Sequence, residues 1–360
     1  MGIPTGPATP RRGRLAIAVV LGVALGGLSL LITPVPIPSV DVLRILIHGL
    51  TLGWAFQPAC LPGVSTAQCH AWTVIVWESS LPAIVLALLV GGALGLSGAT
   101  LQGTFRNPLA DPYLLGLSSG GALGAAVLFV FRLDLAEADV ALPVFAFVGS
   151  VTTGLVILLL ARSLGGRMET LLLVGVALAN LLSALLSVVL LFNPQGSLQV
   201  SYWLLGGVGG ANWYWDGIVL GGLLMASAPL FLLGRELNLL QLGPDVAQSL
   251  GVDARRVRTR LLLFASVATA VAVAFTGIIG FVGLISPHVV RRVWGPDYRA
   301  VLPGSALVGA AFLLFAYDLS GVAVPSVELP VGLFTAFAGG PFFFYLLYRY
   351  RKGSFMGSAQ

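Results

Sequence analysis

Two cysteines, three histidines and fourteen carboxylates supply most of the reactive side chains of this 360-residue chain, and they do not gather into one motif. His48, His70 and His288 are scattered, and the carboxylates fall mostly in polar connections or at the ends of apolar runs. A nucleophile, a base and an oxyanion donor are therefore never brought together by spacing, which argues against a membrane enzyme. The lone lysine, Lys352, is followed by Gly353, whereas a phosphate-binding P-loop needs a lysine followed by Ser or Thr. The chain has no ATP site of that type. Cys60 and Cys69 flank Pro62 and Gly63 and admit three readings: a bridge formed in an oxidising compartment, two free thiols, or a metal site completed by His48 and His70.

The densest unusual chemistry is RNPLADPYLLGLSSGGALGA, from Arg106 to Ala125. Pro108 and Pro112 lack amide donors and push Asn107 and Asp111 out of helical geometry. Gly116, Ser118, Ser119, Gly120, Gly121 and Gly124 then give a helix whose small face lets other backbones approach.

The elements that hold this turn belong to a membrane. The chain is 57% hydrophobic and 9% charged, far from soluble composition. Apolar runs at about 15–32, 74–102, 114–132, 142–161, 171–192, 212–234, 259–277, 280–290, 301–319 and 330–348 predict an all-α polytopic membrane protein with about ten transmembrane helices, the eighth short. The first run follows Arg11, Arg12 and Arg14 and is long for a secretory signal, so it reads as a retained span. With the N-terminus inside, the inner connections hold all the basic residues except Arg44 and Arg132, which places both termini in the cytoplasm. The same asymmetry explains the net charge of +5 without nucleic acid. One membrane domain, 1–360, has an extracytoplasmic loop at 33–73 and a polar inner segment at 235–258. GLSS at Gly116–Ser119 and GLIS at Gly283–Ser286 open the third and eighth spans, and that odd offset predicts two inverted repeats. Ion-coupled carriers usually keep ionisable or carbonyl-rich sites near the midplane, and the scarcity of ionisable groups here weighs against that alternative.

In the inner segment, Pro244 at a first turn, Asp245 at the positive helix end and Gly251 after Leu250 delimit a two-turn helix. Asp253 is placed to cap the next helix. Short surface helices of this kind suit contact with a soluble partner.

Together with RNPLADPYLLGLSSGGALGA, the stretches LGPDVAQSLGVDARRVR, GIIGFVGLISPHVVRRVWGPDYR and VELPVGLFTAFAGGPFFFYLL resemble the permease family of ATP-binding-cassette importers for cobalamin, haem and iron siderophores, in order, over about residues 75–350. The resemblance implies a non-catalytic subunit of the prokaryotic inner membrane, ten helices, pairing with a second copy and an external substrate-binding protein. It also implies two cytoplasmic ATPase subunits that hold the ATP and Mg, with no cofactor on this chain. It matches Asn107 and Leu109 to a cytoplasmic gate, and puts Met168 and Glu169 at a second constriction where the family usually has small hydroxyl residues. Pro244, Asp245, Val246, Ala247, Gln248, Ser249, Leu250 and Gly251 match the helix that couples to the ATPase. It draws the pathway from Asn180, Ser183 and Ser187 of the fifth helix and Phe334, Thr335 and Phe337 of the tenth. His288 is read as a structural hydrogen-bonding residue.

One departure has a physical consequence. Family members commonly carry arginines that meet glutamates of the binding protein, where this chain has Ser80, Ala83 and Gly321, with Glu78 nearby. Eight carboxylates (Asp41, Glu78, Asp134, Glu137, Asp139, Asp216, Asp318 and Glu328) then outnumber Arg44 and Arg132 on the outer side. Charge complementarity sets encounter and register, so the expected partner presents neutral or basic residues.

Overall fold

A 40-residue helix whose middle is almost free of polar side chains organises the chain. In the computed structural model, residues 13, 20, 22, 24–32, 37–51, 59–131, 138–164, 168–192, 194–324 and 329–357 are described, and no strand forms among them. The helices are α1 (Ser39–Leu50), α2 (Thr66–Phe105, with a π turn at Ile75–Ser80), α3 (Leu117–Phe131), α4 (Ala138–Ser163), α5 (Met168–Leu191) and α6 (Pro194–Leu204). They continue as α7 (Trp213–Leu232), α8 (Gly234–Gln241), α9 (Pro244–Ser249), α10 (Ala254–Thr276), α11 (Val282–Trp294), α12 (Tyr298–Val322) and α13 (Val331–Gly357).

Seven of these, α2, α4, α5, α7, α10, α12 and α13, contain stretches long and apolar enough to cross a bilayer. Among the described residues that is fewer than the about ten helices expected, of which the eighth was expected to be short. The run at 114–132 forms α3, described as far as Phe131, and the run at 280–290 forms the 13-residue α11, short as expected at about 20 Å against a hydrocarbon core of about 30 Å. The first run lies largely outside the described residues, with 24–29 helical. The loop expected at 33–73 is partly ordered: it contains α1 and the start of α2. Cys60 and Cys69 are bridged there. Beside the bridge, Asp41 accepts the Leu61 N–H at 2.7 Å, so α1 and the loop are tied together.

Glycine explains why α2 lies at the centre of the packing. Gly91 and Gly95 meet the Gly309 and Ser305 carbonyls of α12, and Gly98 meets Gly283 of α11 backbone to backbone. Without a hydrophobic force between helices inside lipid, close backbone approach supplies the attraction. GLSS and GLIS do not play matching parts in this packing. Gly116 sits in the left-handed region ahead of α3, whereas Gly283 is helical and it is Phe281 that takes the left-handed position ahead of α11.

Where helices break, side chains and other loops satisfy the backbone, as an apolar surround requires. Between α10 and α11, the Ile279 N–H donates to the Tyr113 hydroxyl at 3.0 Å. The Gly207 N–H donates to the Thr276 carbonyl at 2.8 Å, and the Gly332 N–H to the Gly206 carbonyl at 3.2 Å.

A Cβ at Gly98 would lie 2.0 Å from the Gly283 oxygen, so Gly98→Ala is expected to cost about 1–3 kcal/mol and lower the thermal unfolding midpoint in detergent. Gly217→Ala meets nothing within 4 Å and serves as the control; equal midpoints for the two variants would contradict this packing.

Candidate functional site

The turn from Arg106 to Gly116 is built by its prolines and its Asx side chains. Arg106 ends α2 in the left-handed region, and the Asn107 N–H donates to the Gln102 carbonyl at 3.1 Å. The Asn107 Oδ1 accepts the Leu109 N–H at 2.9 Å, and the Asp111 Oδ1 accepts the Tyr113 N–H at 2.9 Å. Each short polar side chain supplies an acceptor for the N–H two residues on, which the non-helical turn leaves without a helical carbonyl. Pro112 starts a 3-10 turn, Pro112–Leu115, and Gly116 closes it at φ 67°. The Tyr113 hydroxyl reaches Ile279, so the turn is fixed to the break between α10 and α11. Asn107 and Leu109 are half-buried. At the other expected constriction, Glu169 is exposed in the first turn of α5, while the Met168 side chain lies outside the described residues.

The stretch from Pro244 to Gly251 forms as its sequence signals indicate. Pro244 opens α9, Gly251 follows at φ 83°, and Asp253 caps α10 by accepting the Arg256 N–H at 3.0 Å. Ala247 is buried and anchors the helix, while Pro244, Asp245, Val246, Gln248, Ser249, Leu250 and Gly251 are outside its packed face. The sequence reading missed α8, whose polar residues join this stretch to the rest of the chain.

Polar positions of α5 remain exposed and follow one stripe. The Asn180 amide donates to the Val176 carbonyl at 2.8 Å, and the Ser187 hydroxyl to the Ser183 carbonyl at 2.9 Å. Ser183 and Ser119 of α3 have their hydroxyls 3.4 Å apart. On α13 only Phe337, at 75% exposure, is open as expected. Thr335 is fully buried with its hydroxyl on the Gly332 carbonyl, and Phe334 packs into the core. The Thr335 hydroxyl stays within its own helix, bonding three residues back. Thr335 was placed on a pathway by position, but its helix turns that position inward.

The opposite end carries the disulfide and a cavity of about 420 Å³ lined by Tyr202, Trp203, Gly206, Phe275, Tyr317 and Gly321, among others. Glu78 is exposed nearby in sequence on α2. Ser80 and Ala83, at 7% and 4% exposure, are buried against the core. The bridge removes both cysteine thiolates from metal chemistry, leaving His48 and His70 without those ligands. His288 stacks edge-on to Phe342 of α13, a structural contact.

Sequence reasoning also overlooked a set of amides. Gln102 is buried in the last turns of α2, where its Nε2 donates to the Gly283 carbonyl at 3.2 Å and the Leu284 carbonyl at 3.4 Å. Its Oε1 accepts from Arg291 of α11. An uncharged polar residue in the apolar run 74–102 was the available signal.

Seven apolar helices, a proline-ordered turn and an exposed short helix at the arginine-rich end fit a membrane transport subunit. The chain belongs to the FecCD transport family, which matches residues 19–349 and comprises permease subunits of ATP-binding-cassette importers. It is 41% identical to the hemin transport system permease protein of Yersinia pestis, covering 84% of this chain and 90% of that one. It is 43% identical to the cobalamin import system permease protein of Halobacterium salinarum, covering 76% and 73%. A solved inward-facing metal-chelate type ABC transporter superposes with a TM-score of 0.72 at 30% identity, covering 86% of this chain and 97% of that one.

Burial pushes the Asp111 carboxyl up from 3.8 to about 6, against the bond from Tyr113, and its Oδ2 has no hydrogen-bond partner among the described residues. The folded protein thus holds a proton that the unfolded chain releases as pH rises from 3.8 to 6. Stability falls across that window and stays lower above it. Asp111→Asn keeps an acceptor for Tyr113, so it is expected to stabilise the protein by roughly 2–3 kcal/mol at pH 7 and by nothing at pH 3.5. Denaturation midpoints at both pH values check this; an equal effect at each would contradict it.

Proposed function

We propose that the chain is the membrane-spanning subunit of an importer that moves a metal chelate, a siderophore, haem or cobalamin, delivered by an external binding protein. The single observation that carries this reading is the pairing of a proline-ordered turn after α2 with an exposed α9 at the same arginine-rich end, in a chain of this family. The arginine-rich end faces the cytoplasm of a prokaryotic inner membrane, following the positive-inside rule, with both termini there. Two copies of the single domain, each with ten helices in two inverted repeats, enclose the pathway. Asn107 and Leu109, with Met168 and Glu169, close it on the inside. Asn180, Ser183, Ser187 and Phe337 line it with surfaces that hold no charge, so a bulky chelate passes without being trapped.

The residues Pro244 to Gly251 seat in a separate ATPase subunit, which holds ATP and Mg; this chain supplies neither site nor cofactor. The binding protein docks at the disulfide end, near Glu78 and Gly321, through neutral or basic residues. Exposed ion pairs contribute only about 0.2–1 kcal/mol each, so loss of the family's arginines leaves docking intact; acidic docking residues on the partner would contradict that.

Vesicles carrying the chain with its ATPase subunits, its binding protein inside or outside as orientation requires, and labelled haem, ferric siderophore or cobalamin test the reading. Uptake of one of these chelates that needs both ATP and the ATPase is expected. Uptake that proceeds without ATP would favour an ion-coupled carrier and overturn the proposal.

A further inference from the structure

We propose that Gln241 is a positioning residue that ties the ATPase-docking segment to the gate turn, so that displacement of one moves the other. This rests on the importer reading above. Gln241 ends α8, and Gly243 follows just ahead of α9. Its Nε2 donates to the Gly103 carbonyl at 2.9 Å and to the Leu237 carbonyl at 3.0 Å. Gly103 lies in the last turn of α2, three residues before the left-handed Arg106 that begins the turn. The final carbonyls of a helix lack their regular partners within it; the Gly103 carbonyl accepts only the Arg106 N–H, at 3.3 Å, from its own segment, and Gln241 adds a second, shorter bond from the coupling segment.

The same turn of α2 is held from its other side. Gln102, at 2% exposure, binds the Gly283 and Leu284 carbonyls and accepts from Arg291, which fixes α2 to α11. The Gln102 carbonyl in turn accepts the Asn107 N–H of the gate turn. One turn before Gln241, Asn238 donates to Asp297 Oδ1 at 2.8 Å and accepts the Tyr298 N–H at 2.9 Å, which pins α8 to the start of α12. The Tyr298 ring lies over Gly103, where an added Cβ would meet it at 2.7 Å. The coupling segment, the end of α2 and the starts of α11 and α12 are thus joined by amide side chains that each bond to at least two groups. Such a joint has discrete arrangements, because separating its members leaves polar groups unpaired. A displaced α9 therefore either carries the end of α2 with it or breaks these bonds.

The test uses the complete transporter, with ATPase and binding protein, in vesicles. Gln241→Met keeps the side-chain length without a donor, and Gln241→Glu turns an acceptor toward the Gly103 carbonyl. Both variants are expected to assemble with the ATPase and to hydrolyse ATP within about twofold of wild type, while chelate imported per ATP falls at least about fivefold, the lower range of site-to-site coupling. An unchanged ratio in either variant overturns the proposal. Equal loss of hydrolysis and import marks a docking defect, and failure of both variants to assemble marks a structural role; each also overturns it. Absence of ATP-dependent import by the wild type would instead defeat the importer reading, before any variant is compared.

Discussion

Every break in the backbone of a membrane domain must find its hydrogen bonds inside the protein, and this constraint shapes the whole molecule. It is why Tyr113 reaches across to Ile279, why Gly207 lies on Thr276 and why Gln241 caps Gly103. The breaks are affordable only because α2 can be approached closely. Gly98 on Gly283, and Gly91 and Gly95 on α12, bring backbones together until short side chains span the gaps. The turn after α2 is consequently held by three other segments and not by its own sequence alone.

Local chemistry was readable wherever one residue type dictates one geometry. Pro108 and Pro112 announced a non-helical turn, Pro244 and Gly251 the limits of α9, and Asp253 a cap. The bridge between Cys60 and Cys69 was one of three readings left open by spacing, and only the fold selects it. Apolar runs gave the existence of helices but not their reach: α2 begins at Thr66, well before its apolar run, because a capped turn and a π turn extend it.

What composition hides is which side of a helix turns inward. Thr335 and Phe337 are two residues apart, yet one is buried and the other open. Ser80 and Ala83 read as surface positions by alignment of motifs, but the π turn and the packing of α2 enclose them. The amides Gln102, Asn238 and Gln241 were missed because each looks ordinary alone. Their meaning lies in partners far along the chain, from Gly103 to Asp297.

The proposed role of the turn at Asn107 and Leu109 is that of a moving constriction. Spin labels at Leu109→Cys in the two copies of an assembled transporter, read as distance distributions with and without ATP and Mg, test it most directly; the bridged cysteines do not compete for label. A distribution that shifts on ATP binding, while labels at Gly217→Cys stay fixed, is the expected result. The same Leu109 distribution in every nucleotide state would contradict it.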